Sequence, residues 1–234
     1  MQIAICSFIL TEYRWSVEKA AEKLELPSLR IMIQRFLYDQ LYPDSKFPSY
    51  QLEVIAYPHL YEGLRISIFY SAVATFCAPS DISGITGMHR EYIRSTPSWR
   101  QGPPRYDCIY VNAADDTEGG GMHRLEIARV MAFFSVVHED EEYQCALVHW
   151  FSRSGAKADE DTGLWVVEPD HEDDGDPSVT IIHVDSIFRA AHLLPRYQTN
   201  QFTSQLLTMH DTLDTFKMFY VNKFVEYHAF VIAF

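Results

Sequence analysis

The second half of the chain holds four apolar runs parted by short polar breaks: LEIARVMAFFSVV (residues 125–137), YQCALVHWFSR (143–153), GLWVVEP (163–169) and VTIIHVDSIFRAAHLLP (179–195). Each is rich in β-branched and aromatic residues and bounded by turn formers, the pattern of successive strands. Short strands at this spacing bury their apolar side chains by curling over one another, so a small barrel or strongly bent sheet is expected. With 47% hydrophobic residues in 234, the chain can bury a substantial core. Phe133, Leu147, Trp150, Trp165, Val167, Ile182, Val184 and Ile187 are expected to share it.

The first part reads differently. Residues 1–10 read as a strand, or as the ragged start of a truncated reading frame, too short to cross a bilayer and without the basic flank and cleavage site of a secretory signal. Residues 16–42 carry Val17, Ala20, Ala21 and Leu24 on one helical face. Ile31, Ile33, Phe36, Leu37 and Leu41 repeat at helical spacing after Pro27, with Ser28 as a fair helix start. This helical pair has a helix-turn-helix outline, but Glu25 stands where glycine normally closes the turn, so a packing hairpin is the expectation. The proline-bearing stretch 43–58 reads as a linker. Residues 64–79 are expected to form a strand or strand pair, 80–87 a loop, and 88–94 one or two helical turns. Further on, 97–104 reads as a turn, 107–113 as a strand, 115–121 as a glycine-rich tip and 211–228 as a helix bearing Leu213, Phe216, Phe219 or Tyr220, Phe224 and Tyr227. The fold class is therefore α+β and β-rich. Its parts are a strand and helical hairpin (1–42), a linker (43–58) and a β-rich domain closed by a C-terminal helix (59–234).

Charge separates the two halves. Residues 1–105 hold 11 Lys plus Arg against 10 Asp plus Glu, a net +1, whereas residues 106–234 hold 8 against 22, a net −14. An acidic second half repels phosphate backbones, so any nucleic-acid contact should come from the first. There, MHREYIRSTPSWRQGPPRY gathers Arg90, Arg94, Arg100 and Arg105 with His89 and Trp99. Guanidinium groups match phosphate geometry and Trp99 offers a stacking surface for a base, so Arg90, Arg94, Trp99, Arg100 and Arg105 are the candidate nucleic-acid residues. Pairing of these arginines with acidic residues of the same chain is the competing reading.

No catalytic motif stands out. The chain has no GxSxG, P-loop, HExxH or CxxC, and the GITG at 84–87 is a turn. Cys6, Cys77, Cys108 and Cys145 are scattered singly, as in an intracellular protein with buried, reduced thiols. The acidic stretches 139–142 and 159–176 lack the ligand alternation of a calcium loop and are expected to face solvent. His183 and Asp185, two apart on a strand, could pair, with His149, His192 or His228 as a third metal ligand; an ordinary half-buried histidine is the commoner case, and neither metal nor cofactor is expected. Asp81, Asp107 and Asp185 are the carboxylates that a nuclease remnant would use, provided they converged.

The segments RFLYDQLYPD, SIFYSAVATFCAPSDISGITGMHREYIRSTPSWRQGPPRYDCIYV, ARVMAFFSV, CALVHWFSR, DEDTGLWVVEPD, HVDSIFRAAHLLPRY and FYVNKFVEYHAF occur in this order. This succession, from residue 35 to 234 and about 85% of the chain, resembles the C-terminal region of the large proteins encoded by Plavaka-type DNA transposons of mushroom-forming fungi. In such proteins a zinc finger and the nuclease-like transposase body come first. Neither is present here, so the resemblance carries over no catalytic residue and implies a stand-alone remnant, or a split-off tail, of a mobile-element protein. A looser similarity, resting on strand order and the Trp150–Phe151 pair, is to bromo-adjacent homology (BAH) domains, barrel-like chromatin modules related in outline to SH3-like barrels. Together they imply a non-enzymatic protein or chromatin interaction module, placed in nucleus or cytoplasm, with an unknown protein partner, at most weak DNA contact and no membrane. The rival is the metal-dependent nuclease or transposase remnant.

Overall fold

Residues 125–138 and 141–153, the two longest apolar runs, pair antiparallel from end to end and form the spine of the molecule. They are joined by Glu139 and Asp140, whose φ values of 50° and 66° make a two-residue turn with both residues left-handed, the geometry that matches strand twist. A register shift between Val130 and Ala132 inserts Met131 as a bulge, which bends the pair.

The computed structural model describes residues 5–8, 13–53, 56–78, 87–112, 121–197, 208 and 210–233. In chain order these form β1 (Ile5–Phe8), β2 (Tyr13–Ser16), α1 (Val17–Lys23), α2 (Leu29–Leu41), β3 (Arg65–Phe69), β4 (Ser71–Cys77), β5 (Met88–Thr96), β6 (Arg105–Tyr106), β7 (Cys108–Asn112), β8 (Leu125–His138), β9 (Glu141–Arg153), β10 (Val166–Pro169), β11 (Val179–His183), β12 (Ile187–Ala191), β13 (Leu193–Pro195), α3 (Thr212–Thr215), β14 (Phe219–Val221) and α4 (Tyr227–Ile232). The fold is α+β and strand-rich. The larger sheet runs β12-β7-β8-β9-β10-β14-β13, with β3 also on β8, β2 on β3 and β11 on β9, and curls into a half-barrel. A second sheet runs β1-β4-β5-β6. The chain passes from one sheet to the other at Tyr70, so the strand or strand pair expected in this stretch is a pair, Arg65–Phe69 and Ser71–Cys77, whose halves belong to different sheets.

Both faces of the spine are buried, and alternation along β8 sends neighbours to opposite sides. Phe133 packs with Phe76, Ile93 and Val148 between the sheets, while Phe134 packs with Leu29, Ile33 and Leu37 of α2. A third cluster holds Tyr110, Phe151, Trp165, Val167 and Phe219. The residues expected to share one core are thus divided: Leu147 lies under the helices, Trp165 and Val167 in the third cluster, and Phe133, Val184 and Ile187 between the sheets, with Trp150 and Ile182 packed partly against these last. A sheet buried on both faces needs more than one core.

The helical pair is a packing hairpin on β3, β8 and β9. Ser16 caps α1, accepting the Lys19 N–H at 3.2 Å. Glu25 takes φ 53° just past the end of α1. Its N–H donates to Glu22 O (3.3 Å) and the Leu26 N–H to Ala21 O (2.9 Å), which is a Schellman motif with glutamate where glycine is usual. Relieving the Cβ of that conformation should stabilise the protein by about 1 kcal/mol in Glu25→Gly. Urea unfolding checks it; a destabilised variant would mean that Glu25 makes contacts worth more than its strain.

Two segments differ from expectation. Residues 88–94 belong to strand β5, not to helical turns: Met88, Arg90 and Tyr92 face out while Ile93 and Ser95 are buried, a period of two. Residues 211–228 are not one helix. Phe219 and Val221 pair with β10 and β13, and this pairing overrides the helical spacing of the apolar residues, leaving α3 before the strand and α4 after it. Residues 80–86 of the expected loop and 115–120 of the expected glycine-rich tip lie outside the described residues. Among the described residues no helix is long and apolar enough to cross a membrane.

Candidate nucleic-acid interface

Strand β5 sets the basic residues in a row. Its outward face carries Met88, Arg90, Tyr92 and Arg94, because every second side chain of a strand points the same way. The chain then turns at residues 99–102. Arg100 and Gln101 take φ values of 51° and 63°, the Gly102 N–H donates to Trp99 O (2.9 Å), and the Trp99 N–H to Pro103 O (3.0 Å). The return strand β6 pairs Arg105 with Thr96 and Tyr106 with Ser95.

This hairpin brings three of the four expected arginines to one ring. The guanidinium carbons of Arg94, Arg100 and Arg105 lie 4.6, 5.3 and 5.4 Å from the Trp99 ring centroid, and that of Arg94 is also 4.6 Å from Tyr92. Arg90 shares the face but stands four residues from Arg94, about 13 Å along the strand. Asp107 anchors the cluster: it accepts from Arg105 Nε at 2.8 Å and from the Arg94 backbone N–H at 2.8 Å. Among the described residues no carboxylate lies within salt-bridge distance of Arg90, Arg94 or Arg100. Partial burial, and then the like charge of Arg105, push the Arg94 guanidinium below its ordinary pKa, so an added anion would relieve repulsion. Tyr92 was not singled out in the sequence; the period of two would have placed it beside Arg94 once the segment was read as a strand.

The other candidate groups do not gather. Asp107 serves the arginines, Asp185 sits 3.4 Å from His183 and accepts no third partner from the described histidines, and Asp81 lies outside the described residues. His149 Nε2 donates to Asp170 O at 2.8 Å, and His228 Nδ1 accepts from Arg189 at 2.9 Å, since a guanidinium only donates. Among the described residues no three His, Cys, Asp or Glu side chains are grouped to hold a metal. The acidic stretches are mostly solvated. Residues 139–142 are exposed, as are those at 172–176, whereas Asp159 is half-buried and accepts from the Thr162 N–H (3.0 Å) and Oγ1 (2.8 Å). All four cysteines are free; burial pushes the Cys6 and Cys108 thiols up to about 12.

A polar cluster that sequence reasoning missed sits at the junction of the two sheets. Arg189, 1% exposed, donates to both oxygens of Glu91 (2.5 and 3.3 Å), to Glu226 and to His228, with its guanidinium 4.4 Å from the Phe76 ring. Its members are 98, 37 and 39 residues from Arg189 in sequence, so no local pattern marks them.

Compared with known proteins, the chain matches no family model, no curated protein and no solved structure.

Proposed function

We propose that this chain is a non-catalytic interaction module, derived from a mobile-element protein as its resemblance implies, and that the arginine–tryptophan face contacts nucleic-acid phosphates. The observation that carries the reading is the gathering of Arg94, Arg100 and Arg105 round Trp99 with Asp107 as the neighbouring carboxylate. Mutually repelling cations held on one exposed hairpin are best satisfied by an anion from outside, and guanidinium groups gathered within 4.6–5.4 Å of the Trp99 ring centroid put phosphate-binding charge beside an aromatic face on which an unpaired base can stack. The acidic remainder, net −14 over residues 106–234, confines contact to this face and keeps affinity low. The curled sheet supports the barrel-like interaction domain expected from strand order, with a protein partner on another surface.

Fluorescence anisotropy of a labelled duplex across a salt series tests it. Four phosphate contacts give a log–log slope of about −3.6; about −2.7 results if Arg105 stays on Asp107, since three arginines are then available. A slope near zero, or one that Arg94→Ala leaves unchanged, would contradict the reading.

A further inference from the structure

We propose that the groove between the α1–α2 turn and α3 binds a monocarboxylate with an apolar body, its carboxylate received by Arg129. The groove is open on one side, offers about 1150 Å³, and has as its floor the β8–β9 face, where Arg129 stands directly opposite His149 in the strand register. That volume suits an organic ligand, and Met131, Phe151, Leu213 and Phe216 line the groove for its body.

The chain itself already seats a carboxylate there. Arg129, 12% exposed in its side chain and 5.6 Å from the Tyr106 ring, forks onto Asp214 through Nη1 (2.5 Å) and Nη2 (3.2 Å). Asp214 is 63% exposed and rides on a helix of four residues, so it is an exchangeable occupant rather than a buried partner. The same arginine has a buried Nε with no hydrogen-bond partner among the described residues. An orphaned buried N–H is costly, and a carboxylate entering from the groove side that drew the guanidinium round to its Nε edge would satisfy it. One negative charge fits better than two. Burial keeps His149 below its ordinary pKa and therefore neutral near pH 7, and the charged lining sets Lys23, Arg129 and Lys217 against Glu25, Glu168, Asp176 and Asp214, an acidic balance that disfavours a dianion more than a monoanion.

Binding of decanoate, decanol, decylamine and decyl phosphate to the whole chain, followed by amide chemical shifts, tests the proposal. Decanoate is expected to perturb β8, β9 and α3 and to bind about tenfold more tightly than decanol, the worth of a charge-assisted hydrogen bond. Arg129→Gln should remove that preference. Asp214→Asn, an exposed and conservative change that spares the fold, should raise decanoate affinity by about threefold or more through loss of the competitor, with decanol unaffected. Decanol or decylamine binding as tightly as decanoate, decyl phosphate binding more tightly, or Asp214→Asn leaving decanoate affinity unchanged would each overturn it.

Discussion

Arg189→Met is expected to destabilise the fold by about 3–5 kcal/mol, although methionine fills much of the same space. The guanidinium is buried and holds two carboxylates from remote elements, Glu91 of β5 and Glu226 at the start of α4. Glu91 also accepts the Ala190 N–H at 3.1 Å, and Glu226 caps α4 by accepting the Ala229 N–H at 3.2 Å. Without the cation two partly buried carboxylates face one another, and the join between the smaller sheet, β12 and α4 loses its common partner. Urea unfolding at neutral pH measures the loss; a change below about 1 kcal/mol would mean that solvent, not Arg189, carries those carboxylates.

Trp165→Ala should cost about 3–5 kcal/mol, through lost burial and the cavity left behind. Trp165 is 7% exposed in the cluster with Phe151, Val167 and Phe219, and the Arg153 guanidinium lies 5.6 Å from its ring. It immediately precedes β10, whose pairing with β14 holds the C-terminal part of the chain on the sheet. Denaturant midpoints at constant m-value report the effect, and a loss below about 1 kcal/mol would make Trp165 a surface residue.

The strand-rich class was legible because strand signals are local: runs such as 143–153 carry their own periodicity, bounded by their own turns. Strand β5 was hidden by its inner face, where His89, Glu91 and Ser95 leave Ile93 as the one apolar residue of the inward set, so no apolar alternation marks the strand. Strand β14 was hidden because three residues carry too little pattern, and its partners β10 and β13 lie 52 and 26 residues away by the pairs Val167↔Phe219 and Leu194↔Tyr220. The division into three cores followed from burial of β8 and β9 on both faces, which a list of apolar residues does not encode. The arginine–tryptophan face was legible for the same reason as the strands, since Arg94 to Arg105 span a single hairpin. The Arg189 cluster was not, because its members meet only through the tertiary fold.

The most direct test of the interaction-module account is duplex binding by the chain in which Arg90, Arg94, Arg100 and Arg105 are all alanine, beside the unmodified protein at low salt. If the face is the nucleic-acid surface, binding is lost while the circular dichroism spectrum and unfolding midpoint stay close to those of the parent. Retained binding in a folded quadruple variant, or magnesium- or manganese-dependent cleavage that disappears on changing Asp107 or Asp185, would contradict it.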